Sequence, residues 1–135
     1  MKQHTDYYDI DSYFTEEQLL IRSATRAWVN RNIKPNIEQY TQAASAPKDW
    51  SKQLAAIGGY GLIIPVKYGG LGMDYLSYGL MMQELERGDT AIRVMSSIQT
   101  SLVMYAIWQF GSEQQKQKYL PLLASGDLLG SFGLT

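Results

Sequence analysis

A chain of 135 residues, 45% hydrophobic and 19% charged, is the size of one domain and has the composition of a globular rather than a disordered protein. Its formal net charge of -1, with Lys and Arg spread singly, excludes the basic footprint of a nucleic-acid binder. The absence of cysteine excludes disulfides, thiolate nucleophiles and cysteine-based metal sites, and it fits a reducing cytosol. His4, the only histidine, sits in a polar N-terminal segment, which gives a catalytic triad no rigidly held base. No metal site is expected. Residues 1–14 carry Asp6, Asp9 and Asp11 and no apolar run, so no signal peptide is expected.

Helix signals then follow one another along the chain. Thr15-x-x-Gln18 has the form of a capping box, and Leu20, Ala24, Ala27 and Trp28 at i, i+4, i+7 and i+8 predict one buried helix face. Pro35 predicts a bend over Arg31 to Lys34, because the residue before proline avoids helical geometry, and a short helix from about Pro35 to Ala44. Pro47 suits the first turn of a helix carrying Trp50, Leu54 and Ile57 and ending at Gly58-Gly59. An extended segment is expected at Gly61–Pro65, followed by a turn-rich loop to Met73. Asp74 caps a helix to Arg87 with Leu76 and Leu80 facing inward, and Gly88 ends it. The next helix starts at Asp89 or Thr90 and runs to about Gln109. Ile92, Met95, Ile98, Leu102, Val103 and Ile107 make it apolar on most sides, so it is expected to be the most buried. Gly111 stops it as a C′ glycine, Ser112-x-x-Gln115 forms a second capping box, Pro121 kinks or shortens the last helix, and Gly126 closes it.

Val94 to Ser112 carries no charge and is long enough to raise the membrane question. Ser96, Ser97, Gln99, Thr100, Ser101 and Gln109 make it too polar for a lipid-facing span. Residues 128–135 read as an apolar strand, and the sequence offers no hairpin partner for it, the mark of a truncated domain or of docking on another surface. The expected architecture is therefore an all-α domain of five to six helices over residues 1–127. It ends in the first strand of a truncated β domain at residues 128–135. Trp28, Trp50 and Trp108 read as core or interface aromatics, and Met81, Met82, Met95 and Met104 as core fillers or pocket lining.

Four segments carry a resemblance: Tyr68-Gly-Gly-Leu-Gly72, Glu84-Leu-Glu-Arg-Gly-Asp89, Gly111-Ser-Glu-Gln-Gln-Lys-Gln-Lys-Tyr-Leu-Pro121 and Gly130-Ser-Phe-Gly-Leu-Thr135. In order and spacing they resemble the N-terminal part of acyl-CoA dehydrogenases, over about residues 14–135. The resemblance implies a three-part flavoenzyme of helical domain, β domain and helical bundle that binds FAD non-covalently and assembles as a tetramer. Such enzymes remove a proton from Cα and a hydride from Cβ of an acyl-CoA, with an electron-transfer flavoprotein as the expected acceptor. The base of the related branches lies beyond residue 135, so no catalytic residue is assigned here. Phe132, Gly133, Leu134 and Thr135 align with the start of the flavin-binding run. A cytoplasmic location is implied, or the mitochondrial matrix in a eukaryote.

Within that family, Glu84-Leu-Glu-Arg-Gly-Asp-Thr-Ala-Ile-Arg93 and Ser97-Ile-Gln-Thr-Ser-Leu-Val-Met104 resemble the glutaryl-CoA branch. The resemblance implies that Arg93 binds the far carboxylate of the substrate, accompanied by Glu86. A carboxylate entering an apolar pocket needs a fork of N–H donors, and a buried guanidinium needs a counter-charge beforehand. The plainer alternative is a structural salt bridge from Arg93 to Asp89 or Glu86 near a helix start. Val94 stands where the glutaryl branch usually has serine, which removes a hydroxyl donor. Three functions compete: oxidation of glutaryl-CoA to crotonyl-CoA with loss of CO₂, oxidation of another short acyl-CoA, and a non-enzymatic helical interaction module.

Overall fold

The structure, a computed structural model, describes residues 7–47 and 49–134, so His4 and Thr135 lie outside the described residues. Among these residues the α-helices are α1 (Glu16–Asn32), α2 (Ile37–Gln42), α3 (Trp50–Ala56), α4 (Tyr75–Gly88), α5 (Thr90–Ser97), α6 (Tyr105–Phe110) and α7 (Glu113–Ala124). A π-helical stretch, Ile98–Met104, joins α5 to α6 with helical dihedrals at both junctions, so the backbone turns as one helix from Thr90 to Phe110. Counted that way the described residues form six separate α-helical segments, beside two short 3-10 helices at Ile10–Tyr13 and Val66–Tyr68, and the domain is all-α as expected. No described helix is long and apolar enough to cross a membrane.

The helix starts follow the capping chemistry. Thr15 and Gln18 close a reciprocal box at α1, and Ser112 and Gln115 do the same at α7. Asp74 accepts from the Ser77 N–H at the start of α4. Asp89 ends α4 in an extended conformation and also caps α5, accepting from the Ala91 and Ile92 N–H groups. One aspartate therefore makes the corner between two helices.

The core runs between α1, α3, α4, the long central helix and α7, around Val29, Ile33, Leu54, Leu85, Met104 and Leu120. Close packing of α4 on α1 depends on Gly88, where an added Cβ would come within 2.6 Å of Val29 Cγ1. The buried face of α1 is not the apolar one expected. Leu20 is 66% exposed and Ala24 and Ala27 face out, whereas Gln18, Thr25 and Val29 are buried. The reason is that Gln18 has a built partner: its Nε2 donates to Asp74 Oδ2 at 2.7 Å, tying the start of α1 to the start of α4. Leu76 of α4 is likewise exposed at 47%, and the inward positions are Ser77, Leu80, Met81, Glu84 and Leu85.

Other expectations are corrected in detail. Gly61 to Pro65 is a turn rather than an extended segment, with the Ile64 N–H donating to Gly61 O at 3.0 Å and Gly61 at φ +72°, a conformation glycine adopts without strain. Tyr60, just before this turn, and Leu62 and Ile64 within it plug the core. Gly111 is not left-handed (φ -72°, ψ 154°), and an added Cβ would sit 2.5 Å from Ile107 O. Pro121 does not shorten α7, which continues to Ala124. The central helix does not present its apolar residues to the core throughout. Ile92 and Met104 are buried, but Ser96, Gln99 and Thr100 are buried between them and Leu102 is 42% exposed. Residues 128–134 form no strand, because a strand needs a second edge and no described segment offers one.

Candidate functional site

Arg93 lies one turn into α5, directly after the Asp89 corner. With the Asp89 carboxylate committed to capping, the nearest acidic group on the adjoining turn of α4 is Glu86. Arg93 Nε donates to Glu86 Oε2 at 2.7 Å, and Thr90 Oγ1 donates to Glu86 Oε1 at 2.8 Å. Arg93, and after it Thr90, hold the Glu86 carboxyl below the usual carboxylate range. The pair is not buried within this domain: the side chains are 34% and 46% exposed. Only the Nε edge of the guanidinium is used by Glu86, and the Nη edge makes no hydrogen bond among the described residues. This is a prepaid counter-charge with an open donor face, the arrangement that suits an incoming anion. Val94, half-buried, follows on the same helix.

The second group of expected residues stands apart. Phe132 is 54% and Leu134 76% exposed, and Gly133 has nothing within 4 Å of an added Cβ. No hydrogen bond or ion pair among the described residues joins them to the Arg93–Glu86 pair.

Two buried polar arrangements escaped the sequence reading. At the α1–α4 contact, Glu84 is 1% exposed. Arg26 Nη2 and Nε donate to its Oε1 at 2.5 and 3.0 Å, and Arg87 Nε donates to its Oε2 at 2.8 Å. Burial pushes the Glu84 carboxyl up, and the two arginines outweigh it, leaving the group below its ordinary value of 4.5.

On the central helix, Ser96 Oγ donates to Gly59 O at 2.5 Å and Thr100 Oγ1 accepts from the Gly61 N–H at 3.2 Å. Gln99 holds three backbone groups: its Nε2 donates to Leu123 O at 2.9 Å and Leu128 O at 2.8 Å, and its Oε1 accepts from the Gly130 N–H at 2.8 Å. The signal was present as spacing. Ile92, Ser96, Gln99, Thr100 and Met104 fall on one helical face, and polar residues there read the same as solvated ones until their partners are known.

The domain is thus all-helical, with an aspartate corner between its fourth and fifth helices and a glycine-containing run after its last. The chain matches the model of the acyl-CoA dehydrogenase N-terminal domain over residues 15–127. It belongs to that family. It is 38% identical over 123 residues to an acyl-CoA dehydrogenase of Bacillus subtilis (strain 168), covering 91% of this chain and 32% of the relative. It is 33% identical over 129 residues to the glutaryl-CoA dehydrogenase of Desulfococcus multivorans, covering 93% of this chain and 33% of the relative. Its fold superposes on a glutaryl-CoA dehydrogenase from Mycobacterium smegmatis in complex with FADH2 with a TM-score of 0.86 and 36% identity, covering 90% of this chain and 31% of that one. The chain spans about a third of the length of the curated relatives it matches.

Proposed function

We propose that this chain is the N-terminal helical domain of an FAD-dependent acyl-CoA dehydrogenase acting on a short acyl-CoA that carries a distal carboxylate. Glutaryl-CoA is the leading candidate, oxidised at Cα–Cβ and then decarboxylated to crotonyl-CoA. The observation that supports this is the Arg93–Glu86 pair, held at a helix start with the Nη edge of the guanidinium open. Arg93 would orient the substrate by its far end, with Glu86 keeping the guanidinium compensated before binding.

Phe132 to Thr135 would form part of one wall of the flavin site. Phe132 to Leu134 fit that role as an exposed stretch outside any helix, with open space at Gly133, but they do not enclose a site. FAD, when bound, supplies the hydride acceptor for the Cβ–H. This chain's own part is to bind and orient, since no residue is nominated as the base that takes the Cα proton. An electron-transfer flavoprotein as acceptor, a homotetrameric assembly and a cytoplasmic or matrix location belong to the same proposal.

Val94 favours a second reading, a dehydrogenase for another short acyl chain, because the hydroxyl expected beside Arg93 is absent. Both are tested by purifying the longer polypeptide that carries this domain and following flavin bleaching with glutaryl-CoA and butyryl-CoA. The proposal expects a yellow product reduced faster by glutaryl-CoA. A flavin-containing product that prefers butyryl-CoA transfers the assignment to the second reading. A colourless product that takes up no FAD leaves the helical interaction module. The 135-residue chain alone is expected to retain no FAD, and stoichiometric retention would contradict the division of the flavin site proposed here.

A further inference from the structure

Gln99 is 1% exposed, and all three hydrogen-bonding positions of its amide that face the protein are used on backbone. One partner, Leu123 O, belongs to the last turn of α7. The other two, Leu128 O and the Gly130 N–H, belong to a segment that is neither helix nor strand. The Leu128 N–H is also tied to Leu122 O at 3.0 Å, but beyond it Leu129 is 59% exposed, and the only hydrogen bond of the Gly130 N–H among the described residues is the one to Gln99. Gly130 is also pressed against the central helix, where an added Cβ would come within 2.5 Å of Val103 Cγ1, one turn beyond Gln99. A planar amide is the head group that supplies two donors and an acceptor together; a carboxylate has no donor and a thioether has neither in useful strength.

We propose that Gln99 is a positioning residue for the 130–134 run. By fixing the chain at Leu123, Leu128 and Gly130, it sets the point and direction from which Phe132 and Gly133 leave the helical domain. The π-helical stretch supports this role, because Gln99 and Val103 lie within it and both meet the same departing segment. The inference rests on the reading of 132–135 as flavin-facing for its consequence, though not for the clamp itself.

The clamp is tested on the 135-residue chain by amide exchange at Gly130, and its consequence on the longer polypeptide by FAD affinity. Gln99→Met is expected to speed exchange of the Gly130 N–H at least tenfold. It should lower the melt of the chain only modestly, since Leu128 is exposed, Gly130 is half-buried and Leu123 O still accepts from the Gly126 N–H at 3.2 Å. In the longer polypeptide it is expected to weaken FAD at least tenfold. Gly130→Ala keeps the Gln99 side chain and pushes the segment away from Val103, so it covers the case in which Gln99→Met does not fold; the same weakening of FAD is expected. Unchanged Gly130 exchange in Gln99→Met overturns the clamp. Released Gly130 in Gln99→Met, with FAD affinity undiminished both there and in Gly130→Ala, overturns the positioning role. If the wild-type polypeptide takes up no FAD, the proposed function fails, and the clamp still stands or falls on the exchange result.

Discussion

Where α1 meets α4, the buried polar groups include a charge, Glu84, beside the neutral Gln18 and Thr25. Glu84 is closed to solvent, but its partners Arg26 and Arg87 are 31% and 36% exposed, so the network reaches from the core to water. Where the central helix meets the 59–61 turn and the end of α7, the buried polar groups are neutral and their partners are backbone. The two regions solve different problems. A carboxylate with two guanidinium partners locks one helix to another but depends on pH. Hydroxyls and an amide hold loops, whose free N–H and C=O groups would otherwise be stranded, at any pH.

The largest expected effect breaks the charged side. Glu84→Ala should destabilise the chain by about 3 kcal/mol, the low end for opening a buried pair, because both arginines can rehydrate. Its pH signature has a definite sign. The folded-state carboxyl is depressed, so its stabilisation is present above the ordinary value of 4.5 and is lost as the pH falls through the depressed folded value. Urea titrations of wild type and Glu84→Gln should therefore converge in acid and diverge toward neutrality. Parallel curves would show that the carboxylate contributes nothing specific.

Next, on the neutral side, Thr100→Val leaves the Gly61 N–H buried without an acceptor and should cost about 1–2 kcal/mol. Here the loss should be the same at every pH tested. A loss that grows toward neutral pH would mean the two regions are coupled and the contrast between them is false. The smallest effect is at Arg93. With both side chains more than a third exposed or nearly so, Arg93→Met should change the stability of the chain by less than about 1 kcal/mol. A larger loss would favour the structural salt bridge over a role in binding.

The same contrast explains what could be read in advance. Helix starts were legible because capping is local chemistry: Thr15, Asp74, Asp89 and Ser112 each act within three residues of themselves. The pairing of Arg93 with Glu86 was legible as one of two alternatives for the same reason. Facing was not. Leu20, Leu76 and Leu102 were counted as inward by their hydrophobicity, yet Gln18, Glu84 and Gln99 take buried positions because each has a partner 24 or more residues away. Periodicity registers which residues are apolar; it has no access to a long-range hydrogen bond that makes a polar residue worth burying. The π-helical register of Ile98–Met104 and the turn at Gly61 likewise depend on tertiary packing.

The measurement that bears most directly on the function is the ratio of kcat/KM for glutaryl-CoA to that for butyryl-CoA, in the longer polypeptide and in its Arg93→Met variant. A charge-assisted hydrogen bond to the far carboxylate contributes about 1.5–3 kcal/mol, so the ratio should fall roughly tenfold to a hundredfold on substitution. Any shared loss from leaving Glu86 unpaired cancels in the ratio. If Arg93→Met lowers both substrates equally, Arg93 is a structural residue of the α4–α5 corner and the assignment to a carboxylate-bearing substrate is wrong.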